Sequence, residues 1–232
     1  DCAATLIGIN ELCGLGLDIE KLCEIGVKLG ADVPFCIRKG TMLAEGIGEI
    51  LTPLAPLTGI PVLLIKPNIS ISTPYVYKHL KLNELDYHPD NKAVISYIKD
   101  NNIKKIAASL SNVLETVTIP ENPIIAELKH YLTENGAIGS LMSGSGPTTF
   151  GIFENMETAK KAYAFCEERK SLKNKTYEKG KKQEKYTESS RMIFFTCAPK
   201  SYFPRNGSFS EHFVYGLVLF IMFSLKVLAI FS

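Results

Sequence analysis

At Arg169 this chain changes character, and the change bounds what can fold. From Arg169 to Lys185 there are eight Lys or Arg residues against Glu178 and Glu184. With almost nothing apolar to bury, this stretch is expected to be a solvated linker. Met192-Ile193-Phe194-Phe195-Thr196 then has the composition of an edge strand. Phe213 to Phe231 is strongly apolar, broken by Gly216, Ser224 and Lys226. At about 1.5 Å per residue, a helix of that length spans roughly 28 Å, close to a bilayer core. Lys226 near its end can snorkel. The abrupt passage from ordinary to Lys-rich and then Phe-rich sequence fits a reading-frame change or a mis-joined gene model better than a true anchor. A packed core is therefore to be sought before Arg169.

Composition leaves room for one. The chain has 232 residues, 46% hydrophobic and 22% charged, enough for one or two domains. A net charge of +2 says little about partners, because it is small and unevenly spread; no nucleic-acid partner is expected. The six Cys include no C-x-x-C pair, and the four His lie away from any Cys pair, so no metal site is expected. The thiols are expected to be free and buried, as in a reducing cytoplasm.

The punctuation gives the elements. Residues 2–13 form an expected helix with Ala3, Leu6, Ile9 and Cys13 on one side, ended by Gly14 and Gly16. Asp18 is an N-cap for a second helix carrying Leu22, Ile25 and Leu29, with Gly30 expected in the left-handed position that closes it. Phe35 to Leu54 is expected to hold short strands and a turn. Pro53, Pro56 and Pro61 mark a boundary, and Val62-Leu63-Leu64-Ile65 is a short buried strand. Helices are expected at 74–80, 91–99 and 102–116. Asn122-Pro123 opens another, ended by Gly136. Strands are expected at 138–142 and 148–153, and a last helix from Asn155 to Glu168. Strands and helices do not alternate as simple βαβ units, so the fold class is α+β.

Three segments can carry chemistry. Asp32 follows a helix directly, in Gly30-Ala31-Asp32-Val33-Pro34. A carboxylate fixed there can take a hydroxyl proton or orient the hydroxyl for attack. It can equally be a turn Asp satisfying backbone N–H groups. Ser143-Gly144-Ser145-Gly146 lies between two expected strands. Its glycines let backbone N–H groups converge on an anion, although many such loops are only turns. Thr73-Pro74-Tyr75-Val76-Tyr77 starts a helix with aromatics in its first turns. A Tyr there can stack on a base or pack on a domain interface.

These segments together resemble the 4-diphosphocytidyl-2-C-methyl-D-erythritol kinases, a branch of the GHMP small-molecule kinases. The resemblance runs from Asp1 to about Arg169, with a weaker echo at Met192–Thr196. Gly30 to Pro34 matches the family's G-A-D-V-P, whose Asp is the catalytic acid/base. Ser143–Gly146 matches its third motif, beside the phosphates. Ser72 to Tyr77 is similar to its S-T-x-x-x-[FY] stretch, where the Thr lies near the substrate and the aromatic covers the cytosine. Gly40 to Glu49 resembles a G-G-T segment, with Lys39 where the family commonly has Gly. Asn112-Val113-Leu114-Glu115 resembles its N-x-L-E helix, read as mainly structural.

The resemblance implies a two-lobed fold. Residues 1–58 would be the remainder of the N-terminal ATP-binding domain. Residues 59–170 would be a ferredoxin-like C-terminal domain, 171–212 a basic linker and 213–232 the apolar tail. It implies transfer of the γ-phosphate of ATP, with Mg²⁺, to the 2-hydroxyl of a cytidine diphosphate derivative, in the cytoplasm. Another GHMP kinase, or an inactive remnant, are the alternatives. Asp32 would be catalytic, Thr73 and Tyr77 would bind substrate, and Ser143, Gly144, Ser145 and Gly146 would shape the phosphate region. Asp1 would end a phosphate loop lying upstream, together with the family's catalytic Lys. Without those parts, the 232-residue chain is expected to show no kinase turnover. A soluble small-molecule kinase gives the apolar tail no reason to be an anchor.

Overall fold

Helices open the chain. The first, α1 (Cys2–Leu12), packs Ala3 against Leu22 of α2 (Ile19–Leu29) and against Val33 and Ile37 of α3 (Val33–Arg38). Asp18 Oδ1 accepts from Lys21 N at 2.7 Å and starts α2 as expected. α2 and α3 meet closely because Gly26 has no side chain: a Cβ there would lie 2.7 Å from Val33 Cγ1. The computed structural model describes residues 1–85, 90–177 and 191–196. The apolar stretch Phe213–Phe231, Cys197 and most of the basic linker lie outside the described residues.

Several local expectations are corrected here. Gly30 is extended, at φ 172°, rather than left-handed. Phe35 lies in α3, not at the start of a strand; Pro34 near the helix start favours that turn of helix. The strands begin later, as a hairpin of β1 (Met42–Glu45) and β2 (Ile50–Pro53), paired Met42 to Pro53 and Glu45 to Ile50. Among the described residues no cysteine is in a disulfide, but Cys2 and Cys13 are exposed and Cys23, Cys36 and Cys166 only partly covered. Helical spacing puts residues on one side without saying that anything covers that side.

From β3 (Pro61–Lys66) onward the chain runs α4 (Thr73–His79), a 3₁₀ turn (Leu82–Glu84), α5 (Asn91–Lys99), α6 (Ile103–Ala108), α7 (Glu115–Glu121) and α8 (Ile124–Glu134). The described elements then continue with β4 (Gly139–Met142), β5 (Thr149–Ile152), α9 (Met156–Tyr177) and β6 (Arg191–Thr196). The strands form one sheet in the order β4-β5-β3-β6. Every neighbouring pair is antiparallel. Two interleaved βαβ units in this order make a ferredoxin-like α+β sandwich.

The expected helix over 102–116 is two helices. α6 ends at Ala108 and α7 begins at Glu115, because the segment between them is drawn to the sheet by Asn112. Asn122 ends α7, with its amide donating to Thr118 O at 3.1 Å, instead of capping α8. α9 runs on through the first part of the basic stretch to Tyr177. Lys, Arg and Glu are good helix formers, so charge alone does not end a helix.

β3 explains the core. Leu63 and Ile65 pack with Leu128, Leu132, Phe153, Ala159 and Ala162 on one face. Val62 and Leu64 pack with Leu141, Phe150 and Ile152 on the other. Alternate side chains point to opposite faces, so a strand covered on both sides reads as an unbroken apolar run. Each such fully buried side chain contributes about 1.5–3 kcal/mol. The close seat of α8 on the sheet needs Gly151, whose Cβ would fall 3.1 Å from Leu132 Cδ2.

Candidate active site

α4 is where the parts meet. Ser72 caps it, its hydroxyl accepting from Tyr75 N at 3.4 Å, and Pro74 stands in its first turn. Val76 turns inward to a cluster of Val113, Leu114, Ile125 and Met142. That cluster fixes the height of α4 over the end of β4. It leaves Thr73 and Tyr77, four residues apart, on the same side of the helix.

The two tyrosines of α4 differ in what they touch. Tyr75 is engaged: its hydroxyl donates to Glu121 Oε1 at 2.8 Å, and its ring stacks on His79 at 3.9 Å between centroids. Tyr77 is 39% exposed. Burial of its phenol, and secondly the charge of Asp32, push its pKa above the ordinary value of 10.0. Tyr77 therefore stands in the field of Asp32, which comes from the N-terminal part of the chain.

Asp32 itself sits at the N-cap position of α3, yet its side chain makes no capping hydrogen bond.

The Ser143–Gly146 segment is a tight turn. Gly146 N donates to Ser143 O at 2.9 Å, and Ser143 N donates to Thr148 O at 2.8 Å. Gly144 and Gly146 take φ of +55° and +88°, where glycine is favoured, and Gly146–Pro147 is a cis peptide. A Cβ on Gly146 would lie 2.7 Å from Met142 Sδ. Ser143 and Gly144 are buried, so only Ser145 and Gly146 present surface. The Ser145 hydroxyl lies 2.8 Å from the Thr73 hydroxyl, either oxygen able to donate. Thr118 Oγ1 donates to Ser145 O at 3.3 Å.

The structure thus joins Thr73 to the turn, with Tyr77 one helical turn beyond Thr73 and within reach of the charge of Asp32. Asp1 is the exposed N-cap of α1, its carbonyl accepting from Thr5 N and Thr5 Oγ1 at 2.9 and 3.1 Å. Among the described residues no three His, Cys, Asp or Glu side chains gather as a metal site. No described helix is long and apolar enough to cross a membrane. Thr118 and Glu121 were not singled out by sequence; both act through contacts distant in the chain, which no local pattern marks.

Comparison with known proteins agrees with this architecture. Residues 94–171 match the family described as GHMP kinases C terminal. A crystal structure of 4-(cytidine 5'-diphospho)-2C-methyl-D-erythritol kinase superimposes with TM-score 0.59 at 29% identity, over 69% of this chain and 57% of that one. Homoserine kinase from Cytophaga hutchinsonii, at 16% identity and TM-score 0.59 over 84% of this chain and 62% of its own, shares the fold. Residues 94–171 are therefore a GHMP kinase C-terminal region, and the chain beyond them is similar to GHMP kinases. Its sequence is similar to proteins named 4-diphosphocytidyl-2-C-methyl-D-erythritol kinase. The one from Acetivibrio thermocellus is 48% identical over 178 residues, which is 77% of this chain and 61% of the relative. That from Alkaliphilus oremlandii is 49% identical over 164 residues, 70% of this chain and 56% of the relative. The chain thus spans 61% and 56% of the length of these two relatives.

Proposed function

We propose that this chain supplies the substrate-facing part of a kinase. The enzyme phosphorylates the 2-hydroxyl of 4-diphosphocytidyl-2-C-methyl-D-erythritol, a step of non-mevalonate isoprenoid precursor synthesis. The observation that carries the reading is the joining of Thr73 to Ser145 at 2.8 Å, with Tyr77 in the field of Asp32. It ties the segment assigned to substrate to the turn assigned to phosphate, in a chain whose relatives bear that name.

In this reading the cytosine stacks on Tyr77, and Thr73 hydrogen-bonds the substrate. Asp32 accepts the proton of the 2-hydroxyl as that oxygen bonds to the γ-phosphorus of ATP. The bond from that phosphorus to the bridging oxygen breaks, and ADP leaves. The turn at Ser145 and Gly146 shapes the phosphate region, and Asp1 ends the phosphate loop at the N-terminus of α1. Mg²⁺ enters with the nucleotide phosphates, its usual partners; the described acidic side chains form no cluster for it. We also place the boundary between the two lobes at residues 58 and 59, ahead of β3.

The test is titration calorimetry with 4-diphosphocytidyl-2-C-methyl-D-erythritol and its uridine counterpart. Saturable binding that prefers cytidine, and that Tyr77→Ala weakens, is expected. Equal binding of the two nucleotides, or none, would overturn the substrate assignment.

A further inference from the structure

One segment holds the Ser143–Gly146 turn from behind. Asn112 is 5% exposed. Its amide nitrogen donates to Met142 O at 2.9 Å and to Gly144 O at 2.8 Å. Its Oδ1 accepts from Leu114 N at 3.0 Å, which fixes the orientation of the amide. Three residues on, Glu115 Oε1 accepts from Met142 N at 2.7 Å, while Oε2 accepts from Lys129 Nζ at 2.5 Å. Met142, the last residue of β4, is therefore gripped on both sides of its backbone, N–H by Glu115 and C=O by Asn112. The turn begins at the next residue.

These contacts exceed what packing alone requires. A buried amide left unpaired is costly, so a segment serving only as core would be apolar, as Val113 and Leu114 beside it are. Here the polar groups of 112–115 converge on the backbone of one residue, Met142, and on the turn's first glycine. Lys129 neutralises Glu115 in a half-buried place, with side-chain exposures of 25% and 15%.

We propose that Asn112 and Glu115 are positioning residues that hold the turn in its phosphate-receiving shape, and that Lys129 acts through Glu115. The proposal rests on the reading of the turn as part of the phosphate region. It differs from the N-x-L-E segment being only structural, because it predicts an effect on phosphate recognition separable from stability.

Asn112→Asp is nearly isosteric, but sets a carboxylate against two carbonyl oxygens. Glu115→Ala removes the acceptor for Met142 N–H, and Glu115→Gln keeps one. Val94→Ala, in the separate cluster of Val94, Ile98 and Ile106, controls for lost stability. Binding of cytidine diphosphate and of cytidine is measured for each, with amide hydrogen exchange at Ser143 and Gly146.

For Asn112→Asp and Glu115→Ala the diphosphate is expected to weaken about tenfold more than cytidine, the scale of one buried hydrogen bond. Both turn amides should exchange faster. Glu115→Gln should stay within about threefold of the parent, since its acceptor remains, and Val94→Ala should leave the ratio of affinities unchanged. A ratio that does not move in Asn112→Asp, or Glu115→Gln falling as far as Glu115→Ala, overturns the proposal. If the parent binds neither ligand, the substrate reading fails. The exchange rates then decide: unchanged protection of Ser143 and Gly146 in Asn112→Asp would overturn the positioning role by itself.

Discussion

The hydroxyls of Thr73 and Ser145 lie 2.8 Å apart although 72 positions separate them in sequence. One stands on the first turn of α4 and the other at the tip of the turn between β4 and β5. The bond is solvent-exposed, so its worth to stability is small, about 0.5–1.5 kcal/mol. Thr73→Val should therefore cost little in a urea melt. It should weaken binding of the cytidine diphosphate substrate more than binding of cytidine, as read by calorimetry. Equal weakening of both would separate Thr73 from the phosphate side.

Tyr77 and Tyr75 should behave differently. Stacking on a base is worth about 1–3 kcal/mol, so Tyr77→Ala should weaken cytidine binding by roughly five- to 150-fold. Tyr77→Phe should retain most of the affinity. Tyr75→Phe loses only the 2.8 Å bond to Glu121 and should leave the cytosine affinity near that of the parent. Competition with cytidine reads both.

The same phenol gives a pH prediction. Burial, and then Asp32, raise the Tyr77 pKa above 10.0. Its contribution to stability is complete below the unfolded value and declines as pH rises through the folded value, because the unfolded chain gives up that proton first. Asp32→Asn removes only the smaller cause, so the phenol should titrate lower than in the parent but still above 10.0. The phenolate absorbance difference against Tyr77→Phe measures it. No movement in Asp32→Asn would show that the two groups do not share a field.

Lys39 adopts φ +60° and ψ 169°. A side chain rarely takes that conformation, which costs on the order of 1 kcal/mol or more. Lys39→Gly should raise the thermal midpoint, and calorimetric scans check this. A fall would mean that the lysine's own contacts outweigh the backbone strain.

Thiol reactivity should sort by environment. Cys2 and Cys13 are exposed. Burial raises the Cys23 thiol pKa, offset in part by Arg38. A disulfide reagent at mildly alkaline pH should modify Cys2 and Cys13 before Cys23, as peptide mass analysis would show.

Much of this was legible because it is local. Asp18 as a cap, Ser72–Pro74 as a helix start, β3 as an apolar run and the glycines between two short strands all follow from spacing and backbone preference. Lys39 was marked by standing where a glycine is common, and its left-handed backbone gives the reason. The breaks were non-local. The residues 102–116 carry helical spacing throughout, yet Asn112 leaves the helix for partners 30 and 32 positions away. Cys13 lies on the apolar side of α1 but is exposed. The electrostatic link from Asp32 to Tyr77 depends on how two parts of the chain meet, which no periodicity records.

The central claim is phosphoryl transfer aimed by Asp32. The most direct measurement joins the upstream segment of the Acetivibrio thermocellus relative to Asp1. It then follows transfer of labelled γ-phosphate from ATP to 4-diphosphocytidyl-2-C-methyl-D-erythritol. The account predicts a 2-phosphorylated product, and a loss of about 10²- to 10⁴-fold in turnover for Asp32→Asn with substrate binding retained. Turnover in Asp32→Asn equal to the parent, or phosphate on another hydroxyl, would contradict it.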